Sequence, residues 1–421
     1  MQIQELEITS LFGAFERSIP FGTHSEEEQA LSLVLLHGPN GSGKTTSLRM
    51  IDGMMTLNFD VHRAIPFGRC VLRFSTGEEI SVTQDAPAAP LQVEFGEFCL
   101  QLHPKQSGPL EPTDAKVVDE FRQTFFAVTQ KISFEYIHTW RQTPSGFLDE
   151  EQYERDLFID HYAHSVRSPS RRRLKHPGSH LADRVAKFIA EAQVDYRRFF
   201  RSNEPDFLSA IIQRLQAGTR PETTASNLLN RLSTVRGQED AYERLGVERD
   251  RWDFDLARSF LEQLSDPAST EGLSVMTAAA EVLETRAREQ KLLAERLLTF
   301  ERTMNSYFRD KEIKVEPRKG FSITNVSGEN LSEDSLGSGE YHLLYLMVAA
   351  LTTQRRGTVL AIDEPELSMH ISWQRRIIDS LRECSSNASP QLLLATHSPD
   401  IVGEYRDYLV PFGNTDELRR E

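Results

Sequence analysis

Cysteine is nearly absent from this 421-residue sequence: Cys70, Cys99 and Cys384 are the only three, and they lie far apart. Thiols without paired or metal-type spacing exclude a disulfide framework and a Cys-built zinc site, and they fit a reducing compartment. Long apolar runs are missing as well. The run at 31–36 has the length of a strand and falls well short of the ~20 residues that cross a bilayer, so no membrane role is expected. The opening Met1-Gln2-Ile3-Gln4-Glu5 lacks the basic and apolar regions of a secretion signal, and a cytoplasmic location is expected. Positive charge is in deficit, with 48 Lys and Arg against 63 Asp and Glu and a net charge of -15. That balance argues against a surface coated for non-specific DNA binding but leaves room for a local basic groove. The obvious basic cluster is Arg167, Arg171, Arg172, Arg173 and Lys175, readable either as a solvated loop or as a nucleic-acid or partner contact. No internal repeat is found.

What is present is chemistry. Gly38-Pro39-Asn40-Gly41-Ser42-Gly43-Lys44-Thr45-Thr46 is a complete G-x-x-x-x-G-K-[ST] loop between a strand-like and a helix-like segment. Its glycines let backbone N–H groups converge on phosphate oxygens at a helix N-terminus. Lys44 adds a point charge at the β- and γ-phosphates, and Thr45 offers a hydroxyl to Mg²⁺, so Asn40 to Thr46 form the expected ATP-binding loop. Three companions follow far down the chain. Val359-Leu360-Ala361-Ile362-Asp363-Glu364 reads as a buried strand ending in two carboxylates, Asp363 on the Mg²⁺ side and Glu364 free to polarise an attacking water. Leu392-Leu393-Leu394-Ala395 delivers His397 from a neighbouring strand, where it can sense the γ-phosphate. Leu336-Gly337-Ser338-Gly339-Glu340 precedes a helix whose N-terminus would face an anion. Gln84 and Gln142 each follow a strand-like segment.

The periodicities organise the chain around these motifs. Strands are expected at 3–8 and 32–37, a helix at 44–57, a hairpin of 70–74 and 79–83, and a further strand-like piece at 91–102. From 114 the pattern turns mostly helical, with a strand at 131–138 and helices at 179–201, 205–217, 250–264 and 274–308. The β pattern returns after 311 with a hairpin of 313–316 and 321–325. A helix at 341–351, a strand at 359–362, a helix at 371–383 and a strand at 392–395 follow. Alternating strand and helix around a phosphate loop implies an α/β, three-layer architecture with a mainly parallel sheet and an antiparallel β portion. Residues 1–113 and 311–421 are expected to form one ATPase head in two lobes, and 114–310 a large, mainly helical insertion.

Together the four motifs resemble the heads of ABC-type ATPases, and more closely the RecF- and OLD-like branch that acts on DNA. The specific marks are Asp363-Glu364-Pro365-Glu366-Leu367-Ser368-Met369-His370 and Ala395-Thr396-His397-Ser398-Pro399; the likeness covers residues 1–60 and 311–410. It implies a homodimer, open to further assembly, with two ATP molecules between the heads. Lys44, Glu364 and His397 are then catalytic, Thr45 and Asp363 hold Mg²⁺, and Ser338, Gly339 and Glu340 act in trans. Gly337 departs from the family, which has Ser there, and the family's glutamine-bearing loop is open between Gln84 and Gln142. The run Leu11-Phe12-Gly13-Ala14-Phe15 looks like small bacterial defence ATPases of the PARIS type, which work with a separate effector. The expected function is a nucleotide-gated clamp or sensor in anti-phage defence or DNA repair, with no nuclease centre of its own. A non-catalytic scaffold clamped by ATP and a transporter ATPase subunit are the alternatives.

Overall fold

The computed structural model describes residues 2–21, 32–86, 89–102, 115–129, 132–138, 180–203, 223–246, 253–263, 270–353, 357–386 and 388–412. They form two compact units, 1–174 with 336–421 and, separately, 175–335. These divisions fall at different positions from the sequence-based boundaries after 113 and 310.

The first unit holds two sheets. Five parallel strands run in the order β14 (Leu409–Pro411), β3 (Leu33–His37), β13 (Gln391–Thr396), β12 (Val359–Asp363) and β8 (Phe134–Ile137). Six antiparallel strands form the other: β2 (Phe15–Pro20), β1 (Ile3–Leu11), β4 (Arg69–Phe74), β5 (Glu79–Thr83), β6 (Leu91–Phe95) and β7 (Phe98–Leu102). The parallel strands are apolar on both faces, as strands covered on both sides must be. Every residue of β12 and β13 is buried. Val34, Leu36, Val359, Ala361, Leu393 and Ala395 point to one face. There they share a core with Leu48, Ile51 and Met54 of helix α1 (Lys44–Thr56), with the antiparallel sheet, and with Phe121 and Phe125 of α3 (Ala115–Thr129). Leu360 and Ile362 point the other way and are equally buried. Helix α2 (Asp60–Ala64) follows α1. Helix α8 (Ser338–Thr352) and helix α10 (Ile377–Cys384) pack together, with the Cys384 thiol 3.8 Å from Met347 Sδ. The three-layer α/β class with an antiparallel portion is therefore present.

Several local expectations change. The segment 91–102 is two strands, because Gly96 at φ 59 and Glu97 make a tight turn and Phe95 pairs with Phe98. Strand β2 was not expected; its polar residues line a hairpin with β1 and only Ile19 is buried. The helix at 371–383 is interrupted at Arg375 and Arg376, leaving α9 (Ile371–Gln374) ahead of α10.

The second unit is mainly helical. It contains α4 (His180–Asn203), α5 (Ala225–Tyr242), α6 (Phe254–Gln263) and the 38-residue α7 (Thr270–Tyr307). A three-stranded antiparallel sheet of β9 (Lys311–Glu316), β10 (Gly320–Asn325) and β11 (Asn330–Leu331) completes it. Helix α5 was absent from the expectation because Ser, Thr, Asn and an interior Gly237 make it a weak helix former. Packing overrides propensity: Leu228, Leu232 and Val235 sit at helical spacing against Leu261, Met276, Ala280 and Leu283. Helix α4 lies on β10 so closely that a Cβ on Gly320 would stand 1.8 Å from the Ala182 carbonyl oxygen. The expected helix at 205–217, the basic cluster at 167–175 and Gln142 lie outside the described residues.

Candidate nucleotide site

Parallel strands present their C-terminal ends on one edge, and in such sheets that edge is where ligands bind. Here β3, β13 and β12 are successive neighbours, with His37 level with Thr396 and Ala395 level with Asp363. The loop 38–43 leaves β3 and feeds α1. Gly38 is obligatory on steric grounds, since a Cβ there would stand 1.9 Å from the Phe412 carbonyl oxygen. Gly41 and Gly43 take φ 79 and 100, the left-handed region in which other residues are strained.

Lys44 is buried, and its ammonium donates to the carbonyl oxygens of Gly38 (2.7 Å) and Pro39 (3.1 Å). Burial lowers its pKa, while Asp363, Glu364 and Glu366 pull in the opposite direction. Thr45 donates its hydroxyl to Asp363 Oδ1 at 3.0 Å. Burial raises the Asp363 carboxyl to about 6; the Thr45 hydrogen bond works against that shift and the charge of Glu364 adds to it. Glu364 has φ 47, unusual for a residue with a side chain, and its N–H is anchored on the Ala395 carbonyl at 2.8 Å. His397 Nδ1 lies 3.4 Å from Lys44 Nζ. Burial, and then the Lys44 charge, lowers its pKa, which favours the uncharged imidazole.

The fold thus brings Lys44, Thr45, Asp363, Glu364 and His397 together from segments more than 300 residues apart. The donor set suits a nucleotide and its metal. Helix α1 has no side-chain cap and no acid in its first turn, so its N-terminal N–H groups remain available to an anion. The Ser42 hydroxyl is buried and unpartnered. Thr45 and Asp363 carry hard oxygen donors of the kind Mg²⁺ takes alongside phosphate oxygens.

Three contributors had no role assigned from sequence. Glu366 Oε1 accepts from the backbone N–H groups of His397 (2.6 Å) and Ser398 (3.1 Å), tying the loop after β12 to the end of β13. It stood in the Asp-Glu-Pro-Glu run, but only the fold reveals its target. Arg17 on β2 donates to the Ser42 carbonyl at 3.2 Å and lies over the Phe15 and Phe412 rings. Tyr136 on β8 is the third. Gln84 is buried at the end of β5, in the antiparallel sheet, and its N–H bonds the Gly68 carbonyl.

At the start of α8, the Gly337 N–H donates to Glu340 Oε2 at 2.8 Å. A Cβ on Gly339 would stand 2.2 Å from the Ser368 carbonyl oxygen. The glycine at 339 is therefore required by close packing on the loop that follows Glu364. Ser338 is the first residue of the helix.

A family model described as "AAA domain, putative AbiEii toxin, Type IV TA system" matches residues 33–403. No curated protein matches the chain. Among solved structures, the Smc head domain with an extended coiled coil bound to the C-terminal domain of ScpA, from Pyrococcus furiosus, aligns at 12% identity. The alignment covers 97% of this chain and 93% of that one, with a TM-score of 0.42. The SMC head domain from Thermotoga maritima aligns at 12% identity over 98% and 94% of the two chains, with a TM-score of 0.35.

Proposed function

The chain belongs to the AAA-domain family whose model spans residues 33–403, and on that premise we propose that it is an ATP-hydrolysing, nucleotide-gated clamp. One observation carries the reading: Thr45 meets Asp363 at 3.0 Å while Lys44 meets His397 at 3.4 Å, the juxtaposition that phosphoryl transfer requires.

Each residue then has a role. The N–H groups of Asn40 to Thr46 hold the phosphates, and Lys44 leaves its carbonyl partners for phosphate oxygens. Thr45 and Asp363 hold Mg²⁺, which when bound neutralises charge on the phosphates. Glu364 orients the attacking water and takes its proton. His397, held through its backbone by Glu366, is positioned to hydrogen-bond the terminal phosphate. Ser338, Gly339 and Glu340 complete the site of a second copy, so that two ATP molecules close a homodimer. The helical unit would recognise DNA or a partner, and output would pass to a separate effector, in anti-phage defence or DNA repair.

The test is ATP turnover by purified protein with and without linear double-stranded DNA, using Glu364→Gln as the blank. Turnover lost in the variant supports hydrolysis, and stimulation by DNA supports the clamp on DNA. Identical slow rates in wild type and variant would reduce the protein to an ATP-bound scaffold.

A further inference from the structure

Tyr136 is a partly buried side chain near this site, its hydroxyl oxygen fully enclosed, for which the proposed reaction has no use. Strand β8 is the parallel neighbour of β12, with Tyr136 level with Ala361. Level residues share a face and alternate residues return to it, so Tyr136, Ala361 and Asp363 all point toward α1. Ala361 has no bulk there, and the phenol ring packs against the core cluster that contains it. The Tyr136 hydroxyl is buried and no hydrogen bond to it has full geometry, while Asp363 lies near enough to act on it as a hydrogen-bond partner. It also lies within the field of Asp363 and of Arg49 and Asp52 on α1. A buried hydroxyl without a well-formed hydrogen bond costs free energy that a fold would shed by carrying phenylalanine instead.

We propose that Tyr136 is a positioning residue of the metal side of the nucleotide site, its hydroxyl donating to Asp363 or to a water bound there once the divalent cation and nucleotide are in place. The proposal rests on the reading of Thr45 and Asp363 as the metal side. Donation to the outer oxygen of a ligating carboxylate fixes that ligand's orientation, an arrangement that typically changes metal affinity by roughly ten- to a hundredfold.

The test is equilibrium binding of a fluorescent ATP analogue to the full chain, in EDTA and across a MgCl₂ titration, for wild type and Tyr136→Phe. The expected result is a Mg²⁺ requirement raised roughly tenfold, with affinity in EDTA unchanged. The melting temperature without nucleotide should be unchanged or higher, because the incompletely bonded hydroxyl is gone. An unaltered Mg²⁺ requirement overturns the proposal. So does an equal loss of affinity in EDTA and Mg²⁺ with a lowered melting temperature, which would make Tyr136 a packing residue. Failure of the underlying reading is separately visible: wild-type binding would then be indifferent to Mg²⁺ before any substitution is made.

Discussion

The nucleotide-bearing unit and the helical unit are built on different economies. In the first, the working residues sit at the ends of fully buried apolar strands, and hydrogen bonds such as Thr45 to Asp363 and His397 N–H to Glu366 cross long sequence distances. In the second, apolar stripes hold helices together and charged pairs decorate their outer faces, as with Arg231 and Glu284 on α5 and α7, or Arg244 and Glu301. Side chains at the strand ends of the first unit meet through specific polar contacts; those of the second are constrained mainly by packing, which many sequences satisfy equally well. The contrast teaches where substitutions should matter and in what currency.

The largest expected effect is chemical and confined to the first unit. Glu364→Gln should lower ATP turnover by about 10²–10⁴-fold, the usual worth of a positioned general base, with ATP binding retained in an equilibrium assay. A loss of binding of the same size would move Glu364 from the chemistry to the cradle.

Two glycine substitutions of similar steric severity should then separate the units. Gly38→Ala would drive a methyl into the Phe412 carbonyl, and Gly320→Ala would drive one into the Ala182 carbonyl at an unfavourable φ of 78. Each should cost about 1–3 kcal/mol in denaturant unfolding, as overpacking does. Only the first should also abolish ATP binding. Nucleotide affinity lost equally in both would break the comparison.

A smaller effect concerns pH. Glu333 is buried in the second unit, where its Oε1 accepts from the Ala182 N–H at 3.1 Å and its other oxygen is unpartnered. Burial raises its carboxyl to about 7, the backbone N–H groups of Ala182 and Leu181 only partly opposing that shift. With the native pKa above the unfolded one, the folded state holds a proton the unfolded state has already released. Stability should therefore decline as pH rises from about 4.5 to about 7 and level off above. Glu333→Gln should flatten that slope in thermal melts, and an unchanged slope would assign it to other groups.

The smallest effect is expected for the Arg231–Glu284 pair, bidentate at 2.7 and 2.8 Å but only partly shielded from water. Arg231→Leu should cost under about 1 kcal/mol at neutral pH. The Arg231 hydrogen bond lowers the Glu284 pKa, so the pair's contribution is present above the ordinary carboxylate range and lost as pH falls through the lowered value. A cost of several kcal/mol would mean that the helical unit, too, relies on specific polar contacts.

Legibility followed the same divide. The glycine-rich loop, the Asp363–Glu364 strand end and the His397 strand were readable as local patterns of residue type and spacing, and the structure gathers them on one edge. Helix α5 was not readable, since Leu228, Leu232 and Val235 sit among weak helix formers and earn their helix only by packing. The strand pair β6 and β7 merged into one segment because both halves share an alternating pattern and the turn rests on Gly96 alone. Glu366 was visible as a letter without a target, since its partners are backbone N–H groups some thirty residues away.

By itself the sequence determined the α/β class and which residues stand at the ends of its buried strands, because glycine conformations, carboxylates at a strand end and buried strands are local requirements written in residue type. Tertiary structure alone decided which carboxylate faces Thr45, that Glu366 holds the His397 backbone, that the enclosed Tyr136 hydroxyl lies near Asp363, and that one compact unit runs from 175 to 335. These depend on strand order and register, which arise from the free energy of the whole packed core and from no segment read alone.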